Sequence, residues 1–149
     1  MKTFLVEDSQ EVRERMSGMI ARIPGICPVA VEDNEDDAVR GICAILPDVV
    51  ILDLTLAGGS GLEVLRRIKL QPFPMRVIVF TNNSNPQYQK KCLDLGADYF
   101  LDKTNGISVL EKLLIQLAGE FKNKSILMDG AQDIAIGSAG HTASPFAAI

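Results

Sequence analysis

The chain has 149 residues, 47% hydrophobic and 23% charged, the balance of a single globular domain large enough to bury a core. Its formal net charge of −4 argues against a general binder of nucleic acid or of anionic membranes. No apolar run approaches the roughly 18 residues needed to cross a bilayer, and Glu7-Asp8 come too early for the N-terminus to act as a signal peptide.

In chain order, Thr3 to Val6 form a short apolar strand that ends on Glu7-Asp8. Ser9 is placed to cap a helix, and Val12, Met16, Met19, Ile20 and Ile23 recur at helical spacing until Pro24-Gly25 stops it. A second strand spans residues 26–31, and Pro28 within it suggests a sheet edge. The acidic run from Glu32 to Asp37 favours a helix N-terminus. Ala38, Val39, Ile42, Cys43 and Leu46 are expected on the buried side of that helix, which Pro47 ends. Val49-Val50-Ile51-Leu52 then reads as a strand buried on both faces, and it runs into Asp53.

Leu56 to Gly59 reads as a loop, and Ser60 with Glu63 fits a capping box for a third helix built on Val64, Leu65 and Ile68. Val77-Ile78-Val79-Phe80 is another buried strand, ending at Thr81. Asn85-Pro86 opens a fourth helix that closes at Gly96. Tyr99-Phe100-Leu101 form a short fifth strand before Asp102-Lys103. Ser108 with Glu111 suggests a second capping box, followed by Val109, Leu110, Leu113, Leu114, Leu117 and Phe121 on one face.

Repeated βα units imply a parallel sheet covered on both sides, a doubly wound α/β fold. The expected domain spans residues 2–121. Residues 122–149, rich in Ala, Gly and Ser, read as an irregular tail in which Ile126-Leu127-Met128 dock locally and His141 has no role. Cys27, Cys43 and Cys92 lack metal-ligand spacing and are expected to be reduced, mostly buried thiols of a cytosolic protein.

The chemistry collects at the strand ends. All but the second predicted strand end in a polar residue: Glu7-Asp8, Asp53, Thr81 and Lys103. In a parallel sheet these ends share one edge, so the residues converge. Clustered carboxylates repel unless a cation joins them, and an all-oxygen site suits a hard ion, with Mg²⁺ the expected one. A lysine beside that metal makes sense if an anion must also be held. Metal, lysine and a threonine hydroxyl around a carboxylate amount to a phosphoryl-transfer site, with the carboxylate as nucleophile.

Phe4-Leu5-Val6-Glu7-Asp8-Ser9, Ile51-Leu52-Asp53-Leu54, Gly61, Phe80-Thr81 and Phe100-Leu101-Asp102-Lys103 together resemble the receiver domain of bacterial two-component response regulators. The resemblance covers about residues 2–121. It implies a flavodoxin-like (βα)5 fold with strand order 2-1-3-4-5, counting the predicted strands. It further implies that Asp53 is the phosphoacceptor and that Asp8 binds Mg²⁺ directly while Glu7 acts through water. Thr55 matches the position whose backbone carbonyl binds the metal. Lys103 would contact the phosphoryl group, Thr81 would be the switch hydroxyl and Phe100 the aromatic that turns with it. Gly61 matches the glycine of the third loop.

The implied function is phosphoryl uptake from a histidine kinase or histidine phosphotransfer protein in the cytoplasm, without turnover of an external substrate. The implied output is a changed face of fourth helix, fifth strand and fifth helix, about residues 86–121, where a downstream protein target docks; no direct contact with nucleic acid or membrane is expected.

Three departures stand out. Ala57 replaces a frequent proline and is followed by Gly58-Gly59, which suggests a more mobile loop. Thr104 replaces another frequent proline, and Asn82 is bulkier than the residue usual after the threonine. Two other readings are a receiver-like scaffold that works unphosphorylated and a Mg²⁺-dependent phosphatase. The intact Asp53, Thr81 and Lys103 disfavour the first. Thr55, where an acid would be wanted, disfavours the second. A receiver cut from a longer transcriptional regulator is a further alternative, since residues 122–149 also read as a linker; they contain no helix-turn-helix pattern of their own.

Overall fold

A computed structural model describes residues 1–139 of the chain, with side chains described through residue 128. The main sheet is built from β1 (Lys2–Val6), β2 (Cys27–Glu32), β3 (Val49–Leu52), β6 (Arg76–Thr81) and β7 (Tyr99–Asp102). Its order is β2-β1-β3-β6-β7, all parallel. Two short strands, β4 (Thr55–Leu56) and β5 (Gly59–Ser60), pair only with each other as an antiparallel hairpin. With that hairpin set aside, the order is the expected 2-1-3-4-5, the flavodoxin-like arrangement.

Among the described residues, five α-helices cover the sheet: α1 (Gln10–Arg22), α2 (Glu35–Ile45), α3 (Gly61–Lys69), α4 (Pro86–Asp94) and α5 (Ile107–Ala139). Alternation along each strand sends side chains to opposite faces, so a continuous apolar run feeds two cores. Phe4, Val6, Val50, Leu52, Val77 and Val79 pack with Ala38, Ile42, Val64, Leu65, Ile68 and Cys92 on one side. Leu5, Val49, Ile51, Ile78 and Phe80 pack with Met16, Met19, Ile20, Leu110, Leu114 and Leu117 on the other. Each core strand is thereby locked in register, because a one-residue slip would exchange the two sets.

Several local expectations are met. The Ser9 hydroxyl accepts from the Val12 amide at 3.4 Å and caps α1. Asn85 caps α4, with Pro86 in its first turn, and the acidic run does open α2, where the structure adds Asn34 as the cap. β2, with Pro28, is an edge strand whose register against β1 is interrupted between Thr3 and Phe4.

Others need correction. Cys27 is exposed because β2 lies at the sheet edge, and Cys43 on α2 is only half-buried, leaving Cys92 as the buried thiol. Leu46 is exposed: it is the left-handed C-cap of α2 (φ 55°), beyond the buried stripe. Ser60 makes no side-chain capping bond, and Glu63 is taken by an ion pair with Arg66. Ser108 lies inside the first turn of α5 rather than at its cap, since Gly106 (φ 85°) turns the chain and the helix starts at Ile107.

The largest difference is at the C-terminus. An irregular segment is expected from Lys122, whereas α5 continues to Ala139, 33 residues in all. Lys122, Lys124, Leu127, Met128, Ala131, Gln132, Ala135 and Ala139 are good helix formers, and no proline interrupts the stretch. Ile126, Leu127 and Met128 are exposed rather than docked. His141 and the rest of the expected irregular tail, residues 140–149, lie outside the described residues.

Candidate functional site

The strand ends of β1, β3, β6 and β7 bring Glu7-Asp8, Asp53, Thr81 and Lys103 to one edge of the sheet. Glu7 is 2% exposed and Asp53 6%, which is unusual for carboxylates and requires partners. The main partner is Lys103, whose side chain is 11% exposed. Its Nζ donates to Glu7 Oε2 at 2.6 Å and to Asp53 Oδ2 at 2.9 Å. The same ammonium stands 6.0 Å from the centre of the Phe80 ring.

Backbone amides complete the carboxylates' environment. The Ser9 amide donates to Glu7 Oε1 at 3.1 Å, and the Thr55 amide donates to Asp53 Oδ1 at 3.3 Å. One oxygen from each of Glu7, Asp8 and Asp53 lies within 4.8 Å of the other two. Burial raises the Glu7 carboxyl above its ordinary range; the hydrogen bond from Lys103 works against this, and the nearby Asp53 charge adds to it. Burial opposes the Lys103 ammonium, but its bonds to Glu7 and Asp53 outweigh that and hold its pKa above the ordinary lysine value. A divalent cation among these oxygens relieves the repulsion that one lysine only partly offsets, and hard oxygen donors suit Mg²⁺. The donor set therefore fits such an ion, with Glu7, Asp8 and Asp53 as the carboxylates that would hold it.

Arg13, one turn into α1, was not singled out from sequence. Its Nη1 donates to the backbone carbonyls of Glu7 at 3.2 Å and Asp8 at 3.1 Å, and it lies 3.8 Å from Asp33. It thus ties down the turn that presents both acids. The only local signal is a basic residue placed a helical turn after an acidic strand end, a common and unspecific pattern.

Thr81 is fully buried on β6, paired in register with Asp102. Its Oγ1 accepts from the Asn83 amide at 3.2 Å and is not hydrogen-bonded to the acids. Phe100, partly buried on β7, sits in register with Val79 and packs against the α2–α3 core. Asp102 is held below its ordinary range by the Thr104 amide first, then by the side chains of Ser84 and Thr104. Thr55 is exposed on the hairpin, reaching Asp53 through its amide.

Gly61 serves the site by absence of a side chain. A Cβ there would stand 1.9 Å from the Asp53 carbonyl oxygen and 2.7 Å from Leu54 Cα. The obstruction is backbone, so it cannot rotate away. Gly61→Ala is expected to cost about 3 kcal/mol of stability, at the upper end of overpacking effects. Urea unfolding followed by circular dichroism measures it; a change below about 0.5 kcal/mol, the scale of a neutral surface substitution, would contradict the close approach.

The chain matches the response regulator receiver domain family over residues 3–115. It is 30% identical over 127 residues to protein-glutamate methylesterase/protein-glutamine glutaminase 1 of Oleidesulfovibrio alaskensis, across 85% of this chain and 34% of that protein. It is 27% identical over 117 residues to the response regulator GacA of Pseudomonas aeruginosa, across 78% of this chain and 55% of GacA. The chain thus spans about a third to about half the length of these relatives.

Among solved structures it superposes on a DNA-binding response regulator of the LuxR family from Staphylococcus aureus with a TM-score of 0.73 and 29% identity, covering 78% of this chain and 98% of that one. The BeF3-activated N-terminal receiver domain of Klebsiella pneumoniae RstA gives a TM-score of 0.69 at 27% identity, covering 76% and 95%. Fold, family match and the gathered acids and lysine agree: the chain belongs to the response regulator receiver domain family of two-component systems.

Proposed function

We propose that Asp53 accepts a phosphoryl group from a phosphohistidine of a kinase or phosphotransfer protein. The P–N bond to the imidazole breaks, a P–O bond to an Asp53 carboxylate oxygen forms, and the imidazole leaves as the neutral ring after taking up a proton. The observation that carries this reading is the Lys103 ammonium shared between two buried carboxylates, a cation positioned for more negative charge than one aspartate brings. Mg²⁺, held by Glu7, Asp8, Asp53 and the Thr55 carbonyl, would supply the remaining positive charge against the phosphoryl oxygens.

Phosphorylation adds close to two negative charges and three acceptor oxygens at Asp53. The Thr81 hydroxyl, now engaged only by the Asn83 amide, gains a stronger acceptor there, and Phe100 follows into the space that Thr81 leaves. The affected surface is α4, β7 and α5. α4 is loosely held, with Cys92 as its buried residue and Tyr88 and Leu93 exposed, so its displacement costs little. Coupling of about 1–3 kcal/mol is enough to change the affinity of a protein target for that face. The domain acts in the cytoplasm as a signalling module and has no external substrate to turn over. No helix among the described residues is long and apolar enough to cross a membrane.

Acetyl phosphate with Mg²⁺ tests the reading directly. Intact mass should rise by one phosphoryl group, and amide chemical-shift changes should extend from Asp53 into residues 86–121. Labelling with shifts confined to the site would remove the switch; no labelling would remove the phosphoacceptor.

A further inference from the structure

We infer that Glu35 is a positioning residue for phosphoryl uptake: from the first turn of α2 it fixes the hairpin that carries Thr55 beside Asp53. The inference rests on the function proposed above. It also reverses the expectation that Gly58-Gly59 loosens this loop.

The hairpin of β4 and β5 has no ladder to the main sheet. A pair of strands this short has no stability of its own in water. Its place is set instead by the N-terminus of α2. The Glu35 amide donates to the Gly58 carbonyl at 3.0 Å, beside a bridge between Asn34 and Gly58. The Glu35 carboxylate then reaches back, its Oε2 accepting from the Ser60 amide at 2.9 Å. One residue thus binds both the tip and the return strand of the hairpin.

The glycines are what permit this approach. Gly59 has φ +118°, and a Cβ on it would fall 2.5 Å from Glu35 Cβ; a Cβ on Gly58 would fall 3.0 Å from Asn34 Cβ. Arg67 of α3 holds the carboxylate from its other side, with Nη1 3.4 Å from Glu35 Oε1 and 3.0 Å from Asp36 Oδ1. Ser60, bonded to Glu35, is the register partner of Thr55. Thr55 in turn donates to Asp53 Oδ1 at 3.3 Å, already a long bond that a small shift of the hairpin would break. Glu35 touches no reacting atom; it acts through Ser60 and Thr55.

Groups that orient a metal's ligands commonly cost 10–100-fold in affinity or activity when removed. Glu35→Ala is expected to lower Mg²⁺ affinity and the rate of acetyl phosphate labelling each by roughly tenfold. Glu35→Gln keeps a carbonyl oxygen for the Ser60 amide and gives up the ion pair with Arg67, so it should recover most of both. Calorimetric Mg²⁺ titration, labelling rates by intact mass, and urea unfolding without metal are measured on wild type and both variants. A residue that merely stabilised the fold would shift the urea midpoint and leave the Mg²⁺ affinity of the folded protein unchanged. Wild-type behaviour of Glu35→Ala overturns the inference, and so does a glutamine variant no better than alanine. Absence of labelling in the wild type overturns the proposed function, and this inference with it.

Discussion

Asp53→Ala should abolish phosphoryl transfer to the chain, reducing label from a cognate kinase or from acetyl phosphate to background. No neighbouring group can substitute efficiently. Glu7 is 2% exposed and engaged by Lys103 and by the Ser9 amide, and Asp8 lacks the lysine contact. Asp53 combines burial, a lysine on Oδ2 and an amide on Oδ1, an arrangement that fixes the orientation of both carboxylate oxygens. An acyl phosphate requires that oxygen as nucleophile, so the effect is a loss rather than a slowing.

Unfolding does not explain such a loss. Asp53 stands among like charges, and its field adds to the upward shift of Glu7. Asp53→Asn relieves that repulsion, so its stability without metal should lie within about 1 kcal/mol of wild type, as is usual where function holds a site under strain. Phosphotransfer profiling across candidate kinases compares wild type, Asp53→Ala and Asp53→Asn. Equal labelling of wild type and the alanine variant would remove Asp53 from the reaction.

Much of this arrangement is legible in the residues, for a physical reason. β3 and β6 are buried on both faces, so the apolar runs of residues 49–52 and 77–80 admit few other readings, and the polar residue ending each marks the edge where the acids and Lys103 gather. Glu7, Asp8, Asp53 and Lys103 do converge, because parallel strands align their C-terminal ends. Features set by contacts distant in sequence are not legible in this way. Gly58-Gly59 reads locally as looseness, yet α2, more than 20 residues earlier, turns those glycines into a close contact. Ser60 and Glu63 match a capping box in sequence. In the fold Arg66 claims Glu63, and the Ser60 amide faces Glu35. The C-terminal helix illustrates the reverse error: low charge and small residues suggest irregular chain, while the absence of proline lets the helix run on to Ala139.

Lys103→Met, which keeps an unbranched apolar side chain in place of the lysine stem, should destabilise the metal-free domain by about 3 kcal/mol near neutral pH. Removing one member of a buried ionic cluster leaves the others uncompensated, here Glu7 and Asp53. The pH dependence has a definite sign. Glu7 is raised above 4.5 in the folded protein, so its contribution to stability is fully present below about 4.5 and is lost as pH rises through the raised value. Two of the influences that restrain this rise come from Lys103 itself, its hydrogen bond and its charge. Without them Glu7 shifts further up and the loss extends over a wider range of pH. Lys103 is also raised, so in the wild type its own contribution is complete below 10.5 and disappears only as pH rises through its folded value. The penalty of Lys103→Met is therefore expected to be small near pH 4.5, where Glu7 is protonated, and to grow toward neutrality.

Mg²⁺ should reverse much of it, since the metal places positive charge among the same carboxylates and competes with the proton on Glu7. The metal does not restore the reaction, because no ammonium then meets the phosphoryl oxygens; labelling should remain about 10²-fold slower, the scale of losing one preorganised charge-stabilising donor. Urea unfolding from pH 4.5 to neutrality, with and without Mg²⁺, separates the two effects. A penalty independent of pH, or one that Mg²⁺ leaves untouched, would mean that Lys103 contributes packing alone rather than the charge that holds Glu7 and Asp53 together.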